Sequence, residues 1–249
     1  MTTTIALTYN DYVTQVANMA VMQTQTVSGV VSGVDATFNT ALLAALSYAE
    51  LRIQRDLDLL PSLTTNSYNI LAGTNQVSIP VGDFVTIQTL SIAGTPLLSV
   101  SKEFIQNVYG TSTVTGQPEY FAMIGGDANG GDTSNNILFG PYADSNYAVS
   151  AFGTVRLPSL VTYANATDAG TKVTFISQWL PDLLLQASMI IISQFQRNFA
   201  AGNDPNSAAS FETNYQNLLK GAGVEEARKR FAASAWSSMG QTPVATPSR

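Results

Sequence analysis

Asp127, Asn129 and Asp132 lie in the stretch GGDANGGDTSN (125–135), where oxygen-bearing side chains alternate with glycines. A calcium site needs that pattern, because several oxygen ligands must converge on a tightly turning backbone. No glutamate closes the stretch and it is not repeated, and a solvent-facing turn uses the same residues for positive-φ backbone. Calcium loop and polar turn are therefore both open. SVSK (99–102) matches Ser-x-x-Lys, in which a lysine activates a serine nucleophile, but the companion motifs of that chemistry are missing, and Ser101 as a helix cap explains the stretch with less. Asp127, Asp132, Glu103 and Glu119 could supply the acid and base of a glycosidase, which needs no histidine. The two tryptophans available for a sugar platform, Trp179 and Trp236, lie outside the segment that holds these acids.

Two further charged clusters invite a reading. YAELRIQRDLDLL (48–60) carries five charged side chains in a chain that is only 11% charged, and EEARKR (225–230) is denser still. In helical phase, Arg52 and Asp56 stand one turn apart, as do Glu226 and Arg230, and such exposed pairs contribute under ~1 kcal/mol. Internal pairing is one reading of them. The other is an assembly surface made by Arg52, Arg55, Asp56, Asp58, Glu225, Arg228 and Arg230, reaching carboxylates or cations of a neighbouring molecule.

Composition removes most reaction classes. The 249 residues contain no histidine and no cysteine, which rules out Ser-His-Asp, Cys-His and His- or thiolate-zinc chemistry within the chain. A net charge of -6 argues against a surface built to neutralise phosphates. No GxGxxG follows a strand, and no glycine-rich loop ends in Gly-Lys-Ser/Thr, so no nucleotide or other cofactor is expected. The N-terminus shows no secretory signal. The most lipid-like stretch, residues 180–199, is interrupted by polar and charged side chains and reads as a buried helix, not a membrane span.

These residues must be carried by helices, then strands, then helices. TYNDYVTQVANMAVMQ has helical apolar spacing, with Thr8 or Asn10 as cap, and TQTVSGVVSG reads as a polar connector. A second helix should begin at Asp35 and run to Leu60, where Pro61 stops it, with Leu42, Leu46, Ala49, Ile53, Leu57 and Leu60 as its buried stripe. Beyond Pro61 the period becomes alternating: NQVSIP, DFVTIQTLSI, TPLLSV, PEYFAMIGG, NNILFGP and NYAVSAFGTVRL read as short strands, with a reversal at Gly94-Thr95-Pro96 and a short helix after Ser101. That segment holds six acids against two bases, a net of -4. Helical character returns at SQWLPDLLLQASMIIISQFQRNFA, with Pro181 in its first turn; residues 202–205 break the chain, and a last helix starts near Asn206, weakened at Gly221 and Gly223. The expected class is α+β: a helical portion built from N- and C-terminal helices, with an inserted small antiparallel β domain. The expected divisions are 1–61, an N-terminal helical segment; 62–158, the β domain; 159–232, a C-terminal helical segment packing on the first; and 233–249, a mobile or partner-ordered tail.

AELRIQRDL at a helix end, TGQPEYFAMIGG, the strand pair in NNILFGPYADSNYAVSAFGTVRLPSL, the helix QWLPDLLLQASMIIIS and the final FETNYQNLLKGAGVEEARKRF occur in this order. Together they resemble the head-to-tail adaptor proteins of short-tailed bacteriophages, over roughly residues 8 to 231. The resemblance implies a structural virion protein with no enzymatic activity. It implies a homo-oligomeric ring, a dodecamer, beneath the portal protein, extending the DNA channel and carrying tail nozzle or fibre proteins. It also implies synthesis in the host cytoplasm, no membrane, and DNA passing without specific binding. The 125–135 loop is longer and richer in glycine than the family pattern suggests. A different class, a carbohydrate- or calcium-binding β module carried on helices, is the alternative; saturable binding abolished by Asp127→Ala and Asp132→Ala would favour it.

Overall fold

A computed structural model describes residues 6–80, 84–111, 113–124, 135–196 and 207–238. Helix α1 (Tyr9–Met19) is followed by the hairpin β1 (Thr24–Val27) and β2 (Val30–Gly33), then by α2 (Ala36–Asp56). Strands β3 (Leu63–Ile70), β4 (Gln76–Ile79), β5 (Thr86–Ile92), β6 (Thr95–Pro96) and β7 (Leu98–Ser99) lead to helix α3 (Lys102–Tyr109). After it come β8 (Thr115–Gly116), β9 (Tyr120–Ile124), β10 (Asn135–Gly140), β11 (Tyr142–Ala143) and β12 (Tyr147–Thr154). Helices α4 (Phe175–Trp179), α5 (Pro181–Phe195) and α6 (Ala208–Ser238) close the chain. The protein is α+β, helices with inserted strands. It divides into two compact units, residues 1–60 with 157–249, and residues 61–156.

In the helical unit, α1 starts with a capping box: Thr8 Oγ1 accepts from Asp11 N–H at 3.3 Å, while Asp11 Oδ2 accepts from Thr8 N–H at 3.2 Å. Asn10, the other candidate cap, instead grips the hairpin, donating to Gly29 O at 2.9 Å and accepting from Val31 N–H at 2.8 Å. The TQTVSGVVSG connector is thus a β-hairpin, because Ser28 (φ 52°) and Gly29 (φ 82°) supply the two positive-φ residues that a two-residue turn requires. Asp35 caps α2 through Phe38 N–H at 3.0 Å. Phe38, Leu42, Ala45, Leu46, Ala49 and Ile53 form its buried face. Helix α5 lies against both α2 and α6 and is buried on nearly every side; Ser188 and Ser193 are accommodated there by turning their hydroxyls back to Leu184 O and Met189 O. Among the described residues no helix is long and apolar enough to cross a membrane.

Two helix ends differ from those expected. Helix α2 ends at Asp56, and Leu57 to Leu59 are buried, exposed and buried in turn, the period of extended chain, with Leu60 only half-buried. Helix α6 continues without interruption through Gly221 and Gly223, and its backbone stays helical to Ser238, since AASAWSS holds good helix formers and no breaker. The expected break at 202–205 and the end of the chain after Ser238 lie outside the described residues.

The β unit contains two four-stranded sheets, in the orders β4-β10-β9-β7 and β3-β12-β5-β6, plus the short pair β11-β8. The long pairings are antiparallel; β7 with β9 and β8 with β11 are parallel. Between the sheets lie Ile70, Ile79, Leu90, Ile92, Phe139 and Val149, and a smaller cluster, Ile105, Ala122 and Leu138, seats α3. Strand β3 is polar in sequence, LTTNSYNI, and is held by an uninterrupted eight-residue register with β12. At Gly153 the β12–β5 register shifts, and an added Cβ would collide with the Thr86 carbonyl oxygen.

Candidate functional site

The charged stretch at the end of α2 meets α6, its partner from far along the chain. Arg52 donates from Nη1 to Glu212 Oε2 at 2.8 Å and from Nη2 to Glu212 Oε1 at 2.6 Å, a two-pronged pair. Its guanidinium carbon lies 4.2 Å from the centre of the Tyr215 ring, and the Tyr215 hydroxyl donates to Asp56 Oδ2 at 2.7 Å. Arg52 Nε is 3.5 Å from the same Asp56 oxygen. The Arg52 bond holds the Glu212 carboxyl below the usual glutamate value, while burial and the Asp56 bond push the Tyr215 phenol up.

A second set of ties sits one helical stretch further along α6. Arg230 Nη1 reaches Asp58 Oδ2 at 3.0 Å, across to the extended segment that follows α2. Glu226 is buried and accepts Leu60 N–H at 3.1 Å and Lys229 Nζ at 2.7 Å; Lys229 also reaches Glu225 at 2.9 Å. Glu226 and Arg230, spaced for an i,i+4 pair, do not form one, because Glu226 turns inward to an orphan backbone donor while Arg230 turns to Asp58.

Arg55 and Arg228 are exposed and make no ion pair with the described residues. The charged stretches therefore divide: Arg52, Asp56, Asp58, Glu225 and Arg230 have partners inside the chain, and two arginines face outward. Sequence reasoning missed Glu50, which is 2% exposed and accepts from Ser159 Oγ and, at 2.8 Å, from Leu160 N–H. Burial raises its pKa, opposed by those two bonds. Its position four residues after Leu46 put it on the apolar stripe, and that phase was the available signal. Gln54 repeats the pattern, donating to Leu157 O at 3.4 Å and accepting from Leu157 N–H at 3.1 Å.

The candidates for chemistry that the structure describes are spread over β7, α3 and the approach to β9. Ser99 lies in β7 and Lys102 opens α3, and the Ser101 hydroxyl caps that helix by accepting Phe104 N–H at 3.2 Å. Glu103 sits in the first turn of α3 and Glu119 just before β9. Asp127, Asn129 and Asp132 lie outside the described residues. Among the described residues no group of three or more acidic, histidine or cysteine side chains gathers as a metal ion would require.

Such an arrangement fixes helices to one another in an α+β protein whose polar groups set geometry. Residues 7–244 match the SU10 adaptor protein family, and the chain belongs to that family. Membership makes it a phage adaptor, a structural component of the virion. A comparison with curated proteins finds no match.

Proposed function

We propose that the protein is a head-to-tail adaptor of a short-tailed phage, forming a twelvefold ring beneath the portal that prolongs the DNA channel and attaches nozzle or fibre proteins. The observation that carries this reading is the family match across residues 7–244, nearly the whole chain. The charge supports it: -6 per copy, multiplied around a ring, gives a passage along which duplex DNA slides without being held. Assembly uses the charged stretches 48–60 and 225–230, with Arg55 and Arg228 turned outward and Arg52, Asp56, Asp58, Glu225 and Arg230 supporting them from within the unit. A ring of identical copies needs two different surfaces on each, meeting head to tail.

Electron microscopy of the purified protein mixed with its portal ring tests this. The free protein is expected to be monomeric or weakly associated and to add to portal rings as a layer of twelvefold symmetry. Failure to join the portal, or a stable complex with duplex DNA, would remove the adaptor reading.

A further inference from the structure

One face of the β unit exposes large apolar side chains among the described residues. Leu98 is 63% exposed, Val108 49% and Phe104 40%. They are contiguous: Leu98 is the register partner of Tyr120 on the neighbouring strand, and the Tyr120 ring lies 5.5 Å from Phe104 and 6.0 Å from Tyr109. Phe104 and Val108 stand one turn apart on α3. Glu103 and Glu119 flank the patch, and neither has a cation within ion-pair distance among the described residues. Lys102, two positions from Phe104, lies on another face of the helix.

On α6, Lys220, Val224 and Arg228 follow at four-residue intervals, all exposed, with Val224 52% exposed. They form a stripe of cation, apolar side chain and cation. Neither cation has an ion pair among the described residues. Beside them Gly221 is open: an added Cβ would meet nothing within 4 Å among the described residues, so the helix backbone there is accessible to a neighbour.

We infer that the Lys220–Val224–Arg228 stripe of one copy docks on the Leu98–Phe104–Val108 patch of another, Val224 entering the apolar centre while Lys220 and Arg228 meet Glu103 and Glu119. Copies that each carry -6 repel unless their contact brings opposite charges together, and this pairing does so with charges that find no ion pair among the described residues. The two surfaces differ, so the contact is head to tail and can close into a ring. The inference rests on the proposed ring and adds which surfaces build it.

The absence of cysteine gives a clean test. Two single variants, Val108→Cys and Val224→Cys, are mixed, assembled on portal rings, oxidised, and run on a non-reducing gel; a heterodimer band is expected from the mixture and none from either variant alone. Lys220→Glu with Arg228→Glu should lower ring occupancy about tenfold, and adding Glu103→Lys with Glu119→Lys in the same chain should restore it. Assembly on the portal without the cross-link, or without rescue, overturns the docking and leaves the adaptor reading standing. No assembly of the unmodified protein on the portal overturns both.

Discussion

All the ion pairs among the described residues belong to the helical unit, where Arg52, Lys229 and Arg230 hold carboxylates on α2, α6 and the segment after α2. In residues 61–156, Lys102, Glu103, Glu119, Asp144 and Arg156 form no ion pair with the described residues. The difference follows from how each unit is made. The helical unit joins pieces far apart in sequence, and burial of apolar faces alone is non-directional, so polar ties fix how α6 and residues 157–160 sit on α2. The β unit is one continuous stretch whose register is already set by its backbone ladders. Its one carboxylate with a strong internal tie, Asp144, accepts from the Tyr147 hydroxyl at 2.6 Å and from no cation among the described residues.

The largest test of that contrast is Phe139→Ala, which empties the fully buried centre of the β unit and should cost ~3–5 kcal/mol in denaturant unfolding. With no ion pair among its described residues to screen, the loss should be the same in low and high salt. A loss that shrinks in salt would show that charges help hold this unit after all.

Next comes Glu50, the most buried charged side chain among the described residues of the helical unit. Glu50→Ala leaves the Leu160 N–H without its acceptor and should cost ~1–3 kcal/mol. Because burial raises the folded-state pKa above the ordinary value of 4.5, the carboxyl's stabilising contribution is fully present below pH 4.5 and is lost as pH rises through the folded value. Glu50→Gln keeps an acceptor without the charge, so the stability profile of that variant should lack this decline. A variant that keeps the decline would place its source elsewhere.

Where the sequence was readable, a local rule sufficed. Asp35 before α2, Ser101 before α3 and Pro181 at the start of α5 all follow from helix ends needing caps, and the inserted strands follow from alternation. The polar strand β3 was hidden because its apolar residues do not alternate; only its pairing with β12 makes it a strand. The hairpin at Ser28-Gly29 was hidden for a related reason, since two turn residues flanked by valines and threonines also describe a loop. At the charged site the helical phase correctly placed Arg52 beside Asp56, yet nothing local could reveal Glu212 and Tyr215, 160 and 163 positions further along. Long-range partners are chosen by packing, and packing is not written in spacing.

The smallest effect is the most informative about those partners. Arg52 and Glu212 keep 34% and 38% of their side-chain surface exposed, so solvent screens the pair and Arg52→Ala should cost only ~1 kcal/mol, less in high salt. Its pH dependence opposes that of Glu50. The Arg52 bond lowers the folded-state pKa of Glu212 beneath 4.5, so the stabilisation is complete above pH 4.5 and is lost as pH falls through the folded value. Arg52→Ala should erase that acid-side decline and leave the decline above pH 4.5 intact, measured by urea unfolding across the range. If the variant instead melts like the unaltered protein and fails only to add to the portal, Arg52 works between molecules, and the charged end of α2 is an assembly surface throughout its length, with no share in bracing α6.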